Sequence, residues 1–198
     1  GIRLPSLFRA FGDYKLPVYI YSAIPTIFIF GPTALGVRLP SVIFGSLLIL
    51  TTYCLAWKFT KSRPFSFLAG LLVATEPWTW FMSRVALEAN LGAFLLVLGM
   101  VLCVYRRPLA GLVILTISAW AYNSARVFSP LLVTILLLFL DRSLIKKPIT
   151  WLVLIGGFLP MFFQLFYSSG LVRLNSLTLI DSGAIARLNQ LQTTRPGG

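Results

Sequence analysis

Histidine is absent from this 198-residue chain, and only five residues are acidic. Without imidazole there is no histidine metal ligand and no histidine acid–base group. The two cysteines, Cys54 and Cys103, each lie inside an apolar run. Neither can build a zinc site alone, and thiols so placed behave as small hydrophobes. Five carboxylates are too few for an acidic disordered tail. Asp13, Glu76 and Glu88 show no recognisable ligand spacing, so no metal and no other cofactor is expected. Charge of either sign is scarce: 11% of residues are charged against about 25% in soluble domains, while 58% are hydrophobic. Too few polar side chains remain to cover a water-soluble globule.

What charge there is lies mostly on one side, 17 basic residues against five acidic, a net +12. In a soluble domain that would suggest nucleic acid. Here the cations sit at the ends of apolar runs, which argues against a nucleic-acid partner and for a polytopic all-α bundle of membrane helices. The expected spans are residues 37–57, 64–82, 89–105, 109–122, 127–140 and 148–168, about six in all. Arg38 and Pro40 open the first, where proline is tolerated. Glu76-Pro77 reads as a helix end. Residues 16–31 are aromatic-rich, contain Pro25 and are short for a span, so an interfacial or tilted helix is expected there. Gly156, Gly157 and Pro160 point to helix packing and a kink. The whole chain reads as one transmembrane domain: an outer loop and interfacial helix over 1–36, membrane helices over 37–168, and an outer loop over 169–198. Gly1 in place of Met, and a polar ending, suggest an internal piece of a longer protein.

The loops set the orientation. Lys58, Lys61, Arg63, Arg106, Arg107, Arg142, Lys146 and Lys147 fall in alternate short loops, whereas the intervening short loops hold only Arg84 and Arg126. The positive-inside rule puts the first set in the cytoplasm. Residues 1–15, 76–90, 122–127 and 169–198 then face outward. The two runs around Asn123–Arg126 are about 14 residues each and rise about 21 Å, so their connection should be recessed. Charge at that depth is tolerated where it lines a cavity. A hollow lined by Arg126 and its neighbours is expected, with Lys15 and Arg84 converging on it. Each residue has a plainer reading. Arg84 and Glu88 have the i,i+4 spacing of a structural ion pair. Lys15 could snorkel to headgroups, and Trp78 and Trp80 suit an aromatic belt.

Four segments, taken together, resemble a known family. They are Phe11-Gly12-Asp13-Tyr14-Lys15-Leu16-Pro17-Val18-Tyr19-Ile20-Tyr21, Val37-Arg38-Leu39-Pro40-Ser41, Glu76–Asn90 and Ala121–Leu131. In order and spacing they resemble bacterial membrane glycosyltransferases of family 39, relatives of the protein O-mannosyltransferases and of the lipid A aminoarabinose transferase. The resemblance implies a GT-C-like fold with an extracytoplasmic active face in the cell membrane. It implies a polyprenyl-phosphate sugar donor and a protein, lipid or glycan acceptor. Lys15 matches the family's donor-phosphate position, and Arg84 and Arg126 match arginines that could also meet phosphate. Asp13 and Glu88 are the acidic catalytic candidates. Tyr14, Tyr122 and Asn123 are the substrate-binding candidates. Two departures stand out: the family's main catalytic acid would lie upstream of Gly1, and Asn123 stands where many relatives carry histidine. The competing expectations are a transporter or flippase of lipid-linked saccharides, and a non-catalytic assembly subunit.

Overall fold

The computed structural model describes residues 8–10, 13–140 and 142–164, with side chains over 15–139 and 143–163. The chain divides into two compact units, Gly1–Leu159 and Pro160–Gly198. The architecture below is that of the first. The expected loop at residues 169–198, with Arg173, Asp181 and Arg187, lies outside the described residues.

Nine α-helices make up most of the described chain. They are α1 (Pro17–Ser22), α2 (Ile24–Phe30), α3 (Ala34–Thr60), α4 (Arg63–Thr75), α5 (Pro77–Arg84), α6 (Ala89–Val104), α7 (Pro108–Ser118), α8 (Ala125–Ile135) and α9 (Pro148–Gln164). Ahead of them β1 (Phe8–Ala10) pairs antiparallel with β2 (Asp13–Lys15), with Phe8 opposite Lys15 and Ala10 opposite Asp13. Residues 8–10 and 13–15, expected as a loop, thus pair as two short strands, and the second delivers Lys15 directly to buried Leu16 and the start of α1.

The all-helical expectation holds, and the boundaries depart from it where proline intervenes. The 16–31 segment is two short helices meeting at Ala23, with Pro25 in the first turn of α2. The expected span over 64–82 is divided at Glu76. Pro77 forces the preceding residue out of the helical region, and Glu76 takes φ −64°, ψ 124°, ending α4 and opening α5. The runs at 109–122 and 127–140 become an 11-residue α7 and an α8 prolonged by a π-helical turn over Leu136–Leu140. α3, of 27 residues, is the one described helix long and apolar enough to cross a membrane; the others are shorter apolar helices.

In α3 the Thr33 hydroxyl caps the start by accepting from Gly36 N–H, so Pro40 lies inside the helix. Proline has no N–H to give the carbonyl four residues back, here Gly36. The Thr26 hydroxyl of α2 donates to that carbonyl at 2.6 Å instead. The Tyr19 hydroxyl of α1 donates to Val37 O, one residue on, at 3.0 Å. The proline therefore opens the backbone surface to which the two short helices are fastened.

The longer helices run antiparallel to their sequence neighbours, and cross-contacts fix which ends meet. At one end the Ser41 hydroxyl donates to Met82 O and Leu87 O, and Tyr122 packs against Gly92. At the other, Tyr105 donates to Cys54 O, and its ring lies under the Lys58 ammonium at 5.0 Å. Two apolar clusters fill the interior. One joins Tyr19, Leu48, Leu91, Phe94, Leu95 and Ala121. The other joins Cys103, Leu112, Leu115, Val133, Leu136 and Leu144. The α6–α7 contact relies on glycine: a β-carbon on Gly99 would meet Leu115 Cγ at 2.7 Å, and one on Gly111 would meet Gly99 O at 2.7 Å. Such close backbone approach is the small-residue mode of helix association. The periphery is apolar, with Phe28 at 90% exposure, Phe139 at 77% and Trp78, Trp80, Phe128 and Trp151 all exposed.

Candidate functional site

The polar groups at the first end gather around the break between α5 and α6. α5 stops at Arg84. Val85 leaves the helix and Ala86 takes a positive φ of 55°, a left-handed turn that costs an alanine of order 1 kcal/mol and must be held by its surroundings. Part of that hold is Ser41, fully buried, which binds carbonyls on both sides of the turn. The chain re-enters helix at Ala89 with Glu88 in the capping position.

This geometry separates Arg84 from Glu88. The expected i,i+4 ion pair needs both on one helix, and the left-handed turn between them removes it. Glu88 instead meets Lys15, with Nζ to Oε1 at 3.4 Å. The carboxylate is buried, at 9% residue exposure, while the lysine side chain keeps about a third of its surface open (35%). Its ammonium has three donors, and the long contact to Glu88 occupies one of them. Arg84 is exposed and lies over the Trp80 ring at 4.7 Å, a cation–π contact on the outer face.

Tyr19 completes the cluster. It is buried beside Ser41 and within the field of Glu88. Burial pushes its phenol above the ordinary value of 10.0, the Ser41 hydrogen bonds pull it partly back, and the Glu88 charge adds to the rise. The hydroxyl therefore stays protonated through the neutral range and acts as a donor. Tyr19, Ser41 and Glu88 thus form one buried polar knot with Lys15 at its open edge.

Arg126 is buried in the first turn of α8, at 7% exposure, and not on an outer face. Its backbone N–H bonds Asn123 O at 3.2 Å, and Asn123 is half-buried in the turn after α7. Beside this turn lies a cavity of about 320 Å³ lined by Glu76, Trp78, Thr79, Asn90, Tyr122, Ser124, Ala125 and Phe128 with apolar residues of α3, α4 and α6. The expected hollow lined by Arg126, with Lys15 and Arg84 converging on it, is not what the structure places here: the cavity takes in the substrate candidate Tyr122, and Lys15, Arg84 and Arg126 are not among its lining residues. The side chains of Asp13 and Tyr14 lie outside the described residues; their backbone forms β2 next to Lys15.

Sequence reasoning missed Tyr19, Ser41, Thr79 and Asn90 as site residues. Asn90 had a usable signal, being an amide inside an apolar run, where an unsatisfied polar group is expensive. It is buried, and its Nδ2 donates to Thr79 O at 3.2 Å and Ser83 Oγ at 2.7 Å. Ser41 and Tyr19 gave no such signal, because their partners are backbone carbonyls distant in sequence. Among the described residues no three carboxylates or thiols lie close enough to hold a metal ion.

The class that fold and site define is an all-α chain with one long apolar helix and a buried polar knot at one end. Comparison with known protein families, curated proteins and solved structures returns no match. The functional reading therefore rests on these residues and their arrangement.

Proposed function

We propose that the chain is part of a multi-pass membrane glycosyltransferase that moves a sugar from a polyprenyl-phosphate donor to an acceptor on the extracytoplasmic face of the cell membrane. The observation that carries the reading is the Lys15–Glu88 pair, near buried Tyr19 and Ser41, at the end of the helices opposite the basic loops. A lysine steadied by a buried carboxylate, with donors to spare, suits an anionic phosphate arriving from the membrane. A cation at the leaving phosphate lowers the barrier to breaking the anomeric C–O bond. Glu88 would then serve as the base that takes the acceptor hydroxyl proton while the acceptor oxygen attacks the anomeric carbon and the polyprenyl phosphate departs.

The membrane part of the proposal is supported by α3, by the exposed aromatic and aliphatic periphery, and by the alternation of basic and cation-poor ends. Helices of 16 or 17 residues such as α6 and α9 rise about 24–26 Å. The bilayer accommodates such a deficit by thinning locally.

The test is transfer of label from a radiolabelled polyprenyl-phosphate hexose by the full-length protein that carries this chain, in detergent or vesicles. Wild type is expected to consume donor, and Lys15→Ala to lose at least a hundredfold in donor use with its thermal transition within a few degrees of wild type. Undiminished transfer by Lys15→Ala would remove the lysine from the site. Bidirectional movement of lipid-linked saccharide without bond cleavage would replace the enzyme by a flippase.

A further inference from the structure

The cavity beside α5 and α6 has a chemistry different from that of the Lys15–Glu88 pair. Its charged group is a carboxylate, Glu76, and among the described residues no cation lines it. Phosphate and carboxylate ligands are therefore disfavoured, and a neutral hydroxyl-bearing ligand is favoured. Glu76 is fixed: its Oε2 accepts from the Thr79 hydroxyl at 2.6 Å, leaving Oε1 for another donor. Asn90 is fixed too, because both its amide bonds run to α5 and its Oδ1 remains an acceptor. Around these two stand aromatic rings, Trp78, Tyr122 and Phe128. Apolar C–H faces that pack on rings, with hydroxyls around the edge that need fixed acceptors, describe a pyranose. The volume, about 320 Å³, is at the small end of ligand sites and suits one or two rings.

The position separates this cavity from the phosphate grip. Glu88 and Asn90 are two residues apart at the start of α6, about 200° around the axis at 3.6 residues per turn. Glu88 meets Lys15, and Asn90 meets α5. We infer that the cavity is a binding site for a neutral pyranose, separate from the Lys15–Glu88 pair. This assignment does not rest on the glycosyl-transfer reading.

The experiment uses the full-length protein that carries this chain, in detergent, and reads saturable binding of methyl α-mannoside and methyl β-galactoside by tryptophan fluorescence, with inorganic phosphate as the control ligand. At least one glycoside is expected to bind in the millimolar range, and Trp78→Ala and Glu76→Gln to weaken it at least tenfold. Trp78 and Glu76 are exposed, so both variants are expected to fold, and their thermal transitions check it. Absence of glycoside binding, or equal binding by both variants, overturns the assignment. Glycoside binding with no donor consumed by wild type would sink the transferase reading and leave the sugar cavity standing.

Discussion

At the scale of single residues, Tyr19 has the sharpest consequence. Its hydroxyl donates to Val37 O and its phenol is raised by burial, so the folded state favours the protonated form. That contribution to stability is fully present below the ordinary value of 10.0 and is lost as pH rises through the raised folded value. Thermal unfolding of wild type above pH 10 should therefore fall more steeply than that of Tyr19→Phe. At pH 7 the same substitution should cost about 1 kcal/mol for the lost hydrogen bond, read as a lower transition temperature in detergent. Equal alkaline slopes in the two proteins would mean that Tyr19 is solvated. Glu88 offers a companion measurement. Glu88→Gln keeps the shape and removes the charge, so it should abolish transfer while lowering stability by no more than about 1 kcal/mol, since a pair with one partner a third exposed is worth little. A full loss of folding would make Glu88 a structural residue first.

At the scale of elements, helices follow from apolar runs, and their interruptions follow from proline. The long apolar stretches and the break at Glu76-Pro77 were legible in the sequence, as was the short, aromatic 16–31 segment. The effect of the Glu76 break was underestimated: Pro77 turns one expected span into a 13-residue and an 8-residue helix. The Arg84–Glu88 pair failed for a similar reason, since nothing in Val85-Ala86-Leu87 advertises the left-handed residue that Ser41, more than forty positions away, helps to hold. Pro40 shows how a local defect becomes a tertiary joint. Thr26→Val should leave the Gly36 carbonyl without its hydroxyl donor and cost about 1–2 kcal/mol. In a Pro40→Ala background the alanine N–H can supply that carbonyl, so the same change should cost less, with a coupling of at least about 0.5 kcal/mol in a double-mutant cycle. Additive losses would show that the hydroxyl acts elsewhere. Between α6 and α7 the corresponding test is Gly99→Val. Its β-carbon would meet Leu115 Cγ at 2.7 Å, and overpacking of this kind costs about 1–3 kcal/mol. Pairing it with Leu115→Ala, which empties that side, should recover part of the loss in melting temperature.

At the scale of the whole molecule, the proposed function turns on which end faces which side of a membrane. The fold makes the ends unlike. One carries Lys58, Lys61, Arg63, Arg106, Arg107, Lys146 and Lys147. The other carries the Lys15–Glu88 pair, the sugar-sized cavity and Arg84. Candidate residues for this second end were legible because costly polar groups stood out against an apolar background. Their grouping was not, because Lys15 meets Glu88 only after the β1–β2 pairing, α1 and the 85–88 turn are all in place. If the reading is right, cations hold the first end in the cytoplasm at the moment of insertion, and the two ends cannot exchange later without dragging charge through hydrocarbon. A cysteine-free background, Cys54→Ser with Cys103→Ser, makes this measurable with single reporters at exposed positions: Lys61→Cys at the basic end and Val85→Cys at the other. In intact cells a membrane-impermeant thiol reagent should label Val85→Cys and spare Lys61→Cys. After the membrane is opened both should label equally. The reverse pattern would put the Lys15–Glu88 pair on the cytoplasmic side, where a lipid-linked donor presented outside could not reach it, and the proposed transfer reaction would lose its site.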